Sequence, residues 1–379
     1  MAFKPRVAII HYWLVRMRGG ERVLERLIGL YPDADVFTHV YDPKAVSQII
    51  RNCRVTTTFI QKLPGSRRHY QRYLPLMPTA LEELDLSGYD LVISSEAGPA
   101  KGVITGPDTP HLCYCHSPMR YLWDAYGDYR ESAGRFTRMA MPWVFGGLRT
   151  WDVATAARVD SFVANSNFIR RRIEKVYRRN SEVVFPPVAV DLFSPSEEID
   201  PRYLWVGEMT PYKRADLVVD AFNELGLPLL MVGDGPLAGA IRKRAKPNIK
   251  FVERLPFAAL REAYARSRAL VFPAREDFGI VMAEALAAGR PVLAYGRGGA
   301  LDIVEPGETG LFFQEQTVDC LVDGVQRLEA WLPHFDPLEA VRRAQRFAPA
   351  RFDEGIRLAV DKLTGWRAPI SSTAQLADA

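Results

Sequence analysis

A chain of 379 residues exceeds what one hydrophobic core ordinarily organises and points to two domains. With 48% hydrophobic and 25% charged residues it is neither disordered nor collagenous, and the opening apolar stretch, Val7 to Ile10, is too short for a secretory leader or a membrane span, so a cytoplasmic protein is expected. The net charge of +4 is unevenly placed: residues 1–190 carry 26 Lys+Arg against 18 Asp+Glu, a basic half suited to a phosphate-bearing substrate or an anionic membrane surface, or simply a solvated basic face without any nucleic-acid module.

In chain order, Val7-Ala-Ile-Ile reads as a buried strand and Gly20 to Leu30 as the helix after it. Further strands are expected at Ala34 to Thr38, Leu91-Val-Ile-Ser, His111-Leu-Cys-Tyr-Cys and Ser161-Phe-Val-Ala. This alternation implies a parallel α/β sheet covered on both faces. Cys53, Cys113, Cys115 and Cys320 have no disulfide or metal-ligand spacing and read as buried free thiols. Lys62-Leu-Pro-Gly-Ser-Arg67-Arg68-His-Tyr-Gln-Arg72-Tyr-Leu-Pro-Leu-Met mixes basic and apolar residues, either to rest on a membrane surface or as an ordinary loop and helix with a solvated face.

The proline-punctuated Val184-Phe-Pro-Pro-Val-Ala-Val cannot continue a helix and reads as an interdomain connection, with the boundary near residue 190. A second strand-helix series follows at Tyr203-Leu-Trp-Val, Arg214 to Leu225, Pro228-Leu-Leu-Met-Val-Gly, Ile249-Lys-Phe-Val, Ala269-Leu-Val-Phe and Pro291-Val-Leu-Ala. Residues 191–349 thus form the second domain. Apolar positions 352, 356, 360 and 363 predict a terminal amphipathic helix, and residues 350–379 are expected to pack back on domain 1–190, with Ser371 to Ala379 frayed.

The strongest local signal is Leu270-Val-Phe-Pro-Ala-Arg-Glu276-Asp-Phe-Gly279-Ile-Val-Met-Ala-Glu284, which parses as strand, turn and helix. A helix N-terminus at Phe278 to Ile280 suits an anion, and Gly279 lets backbone approach a phosphate. Glu276 and Glu284 bracket that point; carboxylates accept from sugar and ribose hydroxyls, though a first-turn acid and a solvated helix position explain them equally. Gly19 and Gly20 could bring amides against a phosphate or merely make a tight turn. His116 ends a strand at the edge where parallel sheets expose functional groups. Lys213, at a helix start where its charge is unfavourable, suits a departing diphosphate.

The glutamate pair with seven residues between them resembles the donor-site motif of glycosyltransferase family 4. Together with Val7-Ala-Ile-Ile-His-Tyr-Trp-Leu, Gly19-Gly-Glu-Arg-Val-Leu, His116-Ser-Pro-Met-Arg-Tyr-Leu-Trp-Asp124, Asn165-Ser-Asn-Phe-Ile and Pro211-Tyr-Lys-Arg, it resembles the bacterial O-antigen mannosyltransferase branch. The resemblance implies two facing Rossmann-like domains of the GT-B type, the donor gripped mainly by the second and the acceptor by the first. It implies that His116 and Glu276 act at the transferred sugar as the catalytic pair. Gly19, Gly20, Lys213, the Phe278-Gly279-Ile280 backbone and Glu284 then bind the substrate, Glu284 through the ribose.

The implied activity is a retaining hexosyl transfer, favouring mannose from GDP-mannose, to a lipid-linked oligosaccharide in surface polysaccharide assembly, at the inner face of the cell membrane. A UDP-sugar donor and a non-catalytic nucleotide-sugar-binding subunit are the alternatives, while an oxidoreductase ranks last because no dinucleotide glycine fingerprint follows Val7 to Ile10. No metal and no cofactor are expected, there being no Asp-x-Asp in a donor-binding setting. The chain departs from the family at Glu208, where the family favours an arginine for the diphosphate; either Arg214 or another base compensates, or phosphate binding is weaker than in the family.

Overall fold

The computed structural model describes residues 4–366, and the chain divides into two compact units. Among the described residues the first unit comprises 4–165, 169–184 and 352–366, and the second 166–168 and 185–351.

The first unit is built on a seven-stranded sheet of β1 (Val7–His11), β2 (Asp35–Thr38), β3 (Val55–Thr57), β4 (Leu91–Glu96), β5 (His111–Cys115), β6 (Ser161–Ala164) and β7 (Glu182–Val183). Its order is β3-β2-β1-β4-β5-β6-β7, with every neighbouring pair parallel. β1, β4 and β5 are buried at each position, which is why they are near-continuous apolar runs rather than alternating ones. β3 and β7 escaped the sequence reading because a Val-Thr-Thr triplet and a Glu-Val pair at the two sheet edges have no hydrophobic run to betray them.

Helix α1 (Gly19–Leu30) buries Val23, Leu24, Leu27 and Ile28, the three-and-four spacing of one helical face. The longest helix of this unit among the described residues is α2 (Arg135–Thr155). All four cysteines are free thiols; Cys113 and Cys115 are buried, whereas Cys53 and Cys320 are only partly so, a correction to their expected burial.

The second unit carries a six-stranded sheet of β8 (Tyr203–Val206), β9 (Leu229–Val232), β10 (Ile249–Val252), β11 (Leu270–Phe272), β12 (Val292–Tyr295) and β13 (Gly310–Phe313), in the order β10-β9-β8-β11-β12-β13. β13 was not expected, its three apolar residues after a glycine being too short a run to stand out. Helices α3 (Ala215–Leu225), α4 (Phe257–Arg266) and α5 (Ile280–Ala287) are the ones that bear on the site. α5 buries Met282, Ala283, Ala285, Leu286 and Ala287, so it is enclosed on most of its circumference.

The last helix, α6 (Pro349–Thr364), belongs to the first unit from Phe352 onward. Phe352, Ile356, Ala359 and Val360 join the core that includes Ile9, Leu112 and Tyr114, and Asp353 takes a two-pronged ion pair from Arg26 of α1. Hydrophobic periodicity made the amphipathic helix legible, and the expected two-domain fold its return to the first unit. The expected fraying of Ser371 to Ala379 lies outside the described residues. No helix among the described residues is long and apolar enough to cross a membrane.

Both sheets share one topological consequence. The strand order reverses beside β1, which sits between β2 and β4, and beside β8, which sits between β9 and β11. Open parallel sheets bind ligands outside the carboxyl ends of the strands at such switch points. Ligand-binding residues are therefore expected among those that follow β1, β4 and β5 in one unit and β8 and β11 in the other.

Candidate functional site

In the second unit, the turn after β11 carries Glu276 and ends at Gly279, whose φ of +96° places the N-cap of α5 in the left-handed region that favours glycine. The Phe278 side chain is 4% exposed and packs against Phe185 and Phe347 in the core. Its ring is therefore an anchor in the core rather than a ligand contact; Gly279 is buried as well, and Ile280 is partly exposed. The first turn of α5 directs amide N–H groups and the positive end of the helix dipole away from the helix.

Lys213 comes from the exit of β8, and its Nζ lies 2.6 Å from Oε1 of Glu276, with both side chains 17% exposed. Burial pulls this ammonium down, but Glu276 above all, then Tyr212 and Glu208, push it up, so its pKa lies above the ordinary lysine value. Lys213 is thus not a solvated lysine: it holds its charge at the carboxyl edge of the sheet beside the carboxylate expected to meet the sugar. Glu284, one face further along α5, accepts from the Tyr264 hydroxyl of α4 at 2.8 Å. That bond fixes one carboxylate oxygen, so Glu284 is a held acceptor rather than a freely rotating surface group.

Other residues support this turn, and the sequence reading gave them no role. Ser166 Oγ donates to the Asp277 carbonyl at 2.6 Å, and the Gly299 amide donates to the Glu276 carbonyl at 2.9 Å. Asn167 is held by Asp302 through both its backbone N–H, at 2.8 Å, and its side-chain amide, at 2.7 Å. The Asn165-Ser-Asn motif was visible, but nothing in it foretold a backbone acceptor more than a hundred residues later. The expected glycine-rich exit of β9 has a packing reason: a Cβ on Gly233 would stand 1.8 Å from the Gly207 carbonyl oxygen, so the two strand exits touch backbone to backbone.

The phosphate side departs from expectation. Arg214, the candidate replacement for the arginine that Glu208 displaces, points its Nε at Asp216, 3.3 Å away, and is one of two non-glycine residues among the described ones with positive φ. The Arg214 and Asp216 side chains are both 31% exposed.

The first unit brings His116, Gly19 and Gly20 to the carboxyl ends of β1, β4 and β5. Gly19 and Gly20 do not form the tight turn considered as an alternative; they are the first two residues of α1. Gly20 is small because a Cβ there would fall 2.1 Å from the Tyr12 hydroxyl oxygen. His116 Nε2 lies 2.8 Å from Ser95 Oγ, and the same oxygen lies 3.1 Å from Nδ1 of His11. His11 Nε2 in turn faces Glu21 Oε1 at 3.6 Å, with both side chains almost wholly buried. One hydroxyl has a single proton to donate, so Ser95 links the tautomers of the two rings. His11, Glu21 and Ser95 went unassigned in sequence because their meeting depends on the β1–β4 register, which sets His11 opposite Ser95.

Burial drives three histidines of this unit down: His39 and His111 to about 4, and His116 to about 3, where the neighbouring His11 adds to the effect. Unfolded, each ring would titrate near its ordinary value of 6.5, so between those limits the unfolded chain binds more protons. Stability is therefore fully present above about pH 6.5 and falls as the pH drops toward 4, by up to about 1.4 kcal/mol per pH unit for each histidine. Urea unfolding midpoints at pH 7 and pH 5 are expected to show the loss, and His111→Gln is expected to reduce it.

Two family matches cover most of the chain. The family described as "Glycosyltransferase Family 4" matches residues 17–192, and "Glycosyl transferases group 1" matches residues 200–330. Residues 17–192 thus carry a glycosyltransferase family 4 domain, and residues 200–330 a glycosyl transferases group 1 domain. Among relatives, the GDP-mannose-dependent alpha-mannosyltransferase of Mycolicibacterium smegmatis is 31% identical over 184 residues, 45% of this chain and 48% of that protein. The GDP-mannose-dependent alpha-(1-6)-phosphatidylinositol monomannoside mannosyltransferase of Mycobacterium tuberculosis is 28% identical over 195 residues, 43% and 51% of the two chains. Glycogen synthase of Thermus thermophilus is 36% identical over 137 residues, 34% and 31% of the two.

The alignments thus span about a third to a half of these relatives' length. In fold, the glycosyltransferase units match sucrose-phosphate synthase from Thermosynechococcus elongatus with a TM-score of 0.70 at 20% identity, over 96% of this chain and 100% of that one. Anabaena HepE, solved in complex with UDP, matches with a TM-score of 0.68 at 16% identity, over 94% and 100%. Two parallel-sheet α/β domains of the GT-B type are the architecture of this chain.

Proposed function

We propose that the chain is a retaining glycosyltransferase that moves mannose from GDP-mannose to a lipid-linked oligosaccharide in surface polysaccharide assembly, working on the cytoplasmic side of the membrane. The observation that carries the reading is the Lys213–Glu276 pair set beside the N-terminus of α5 at the switch point of the second sheet. A diphosphate leaving from this place would meet a cation and a helix dipole, and a hexose would meet a carboxylate. Glu284 takes the ribose. His116, with Gly19 and Gly20, serves the sugar and acceptor side.

In the proposed reaction the bond from the anomeric carbon to the acceptor oxygen forms on the face from which the diphosphate departs. The protein's share is positioning and electrostatic stabilisation of an oxocarbenium-like sugar, without an obligatory covalent nucleophile. The mannosyl choice is supported by the two mycobacterial relatives whose names specify GDP-mannose.

Purified protein incubated with radiolabelled GDP- and UDP-sugars, with and without membrane-extracted lipid-linked glycan, tests the reading. Consumption of GDP-mannose alone is expected. Turnover of only a UDP-sugar would transfer the proposal to that donor, and binding without turnover of any donor would leave a non-catalytic subunit.

A further inference from the structure

Helix α2 has two unlike sides. Met141, Leu148 and Asp152 are buried, and Leu148 forms a cluster with Met119 and Leu122 against which the partly buried Val144 and Phe145 pack. At 100° per residue, Arg135, Met139, Pro142, Trp143, Gly146 and Thr150 fall on the opposite side within about a 100° arc. Trp143 is 86% exposed and Met139 73%, one turn apart. Tryptophan is ordinarily among the more buried side chains, so a ring this open on a long helix signals something that covers it.

The surroundings say what. The helical turns from Ser66 to Leu76 lie against α2 through Leu74, which packs into the same cluster as Val144 and Phe145. They present Arg67, Arg68 and Arg72 to solvent, with Leu76 44% exposed beside them. Arg135 and Arg138 are exposed at the near end of α2. Neither the stretch from Lys62 to Met77 nor that from Ala133 to Trp151 contains an Asp or Glu. The exposed side of α2 thus carries Trp143 and Met139 with Arg135 on the same arc, and the neighbouring turns add three exposed arginines, a composition complementary to an anionic lipid headgroup layer. A second copy of the chain is a poor occupant, because a two-fold contact through this face would set arginines against arginines.

We propose that this face of α2, with the Arg67–Leu76 turns beside it, docks the first unit on an anionic bilayer, Trp143 and Met139 entering the headgroup region and the arginines meeting lipid phosphates. The inference deepens the lipid-linked-acceptor reading and rests on it for its purpose, but its test does not require transfer.

The full chain is co-sedimented with phosphatidylcholine vesicles and with phosphatidylcholine–phosphatidylglycerol vesicles at low and physiological salt. Binding to the anionic vesicles alone is expected, weakening with salt. Met139→Ala with Trp143→Ala is expected to reduce it more than about tenfold, and Arg67→Glu, Arg68→Glu and Arg72→Glu together by more than about a hundredfold, each arginine contributing roughly fivefold. Thermal unfolding of both variants, unchanged from the parent, separates lost docking from lost folding. Trp143→Phe is expected to remove the blue shift of tryptophan emission that vesicles induce.

Equal binding by parent and variants, absence of binding to anionic vesicles, or a parent dimer that Trp143→Ala dissolves would each overturn the proposal. If vesicle binding holds while no sugar donor is turned over, the glycosyl-transfer reading falls and the docking surface stands.

Discussion

Lys213→Met is expected to lower kcat for sugar transfer by about a hundred- to a thousandfold, the range observed when one preorganised group facing developing charge is removed. The side chain is mostly buried, its ammonium held protonated by Glu276 above all, with Tyr212 and Glu208 adding to it. Methionine keeps much of the length and apolar volume while deleting the charge. It also leaves Glu276 as an enclosed carboxylate without its cation, so the single variant is expected to be less stable as well as less active. Pairing Lys213→Met with Glu276→Gln separates the two effects. The double variant should regain most of the lost stability, read from the urea midpoint, and none of the lost kcat. Recovery of activity along with stability would mean that the pair is a structural clasp.

The second large effect concerns stability. Lys101 is fully buried in the first unit between Glu96, 3.4 Å away, and Asp152, closer still, and its Nζ sits 4.6 Å from the Tyr177 ring centroid. Burial would pull this ammonium down, but Asp152 and then Glu96 outweigh it and hold it well above the ordinary lysine value. Asp152 also accepts from Trp123 Nε1 at 2.8 Å and from the Tyr177 hydroxyl at 3.1 Å, while Glu96 accepts from the Ala100 and Lys101 amides at 2.9 and 2.8 Å. The ammonium thus ties the end of β4 to the helix α2, and Asp152 in turn holds Trp123 of the segment after His116. Lys101→Met strands two neighbouring carboxylates in the core and is expected to cost about 3–5 kcal/mol. The deficit should shrink as the pH is lowered, because burial already raises the Glu96 carboxyl and a protonated acid no longer needs the cation. A deficit below about 1 kcal/mol at pH 7 would show that water reaches the cluster.

The two predictions differ in how far their residues could be read in advance. Lys213 and Glu276 stand out locally, each beside a strand end and a helix start, and the glutamate spacing ties Glu276 to Glu284. Lys101, Glu96 and Asp152 have no such signature: a lysine after a glycine-alanine-rich turn and an aspartate inside an apolar helix look like surface charges. Their burial follows from packing α2 over the exit of β4. Likewise, the contact of Arg214 Nε with Asp216, two residues on, has no signature in the sequence.

By itself the sequence determined the two-unit α/β plan, the central strands, the helix start at Gly279 and the amphipathic pattern of α6, because each depends on chain length, local periodicity or a short motif. The tertiary structure alone decided what those elements bring together. The register of β1 on β4 joins His11 to Ser95, and the same hydroxyl reaches His116. The fold also sets Ser166 and Gly299 against the Glu276 turn and leaves Trp143 outside while Asp152, on the same helix, is sealed within. These contacts join residues tens to more than a hundred positions apart, and pairing at that range is fixed by sheet order and core packing rather than by any pattern along the chain.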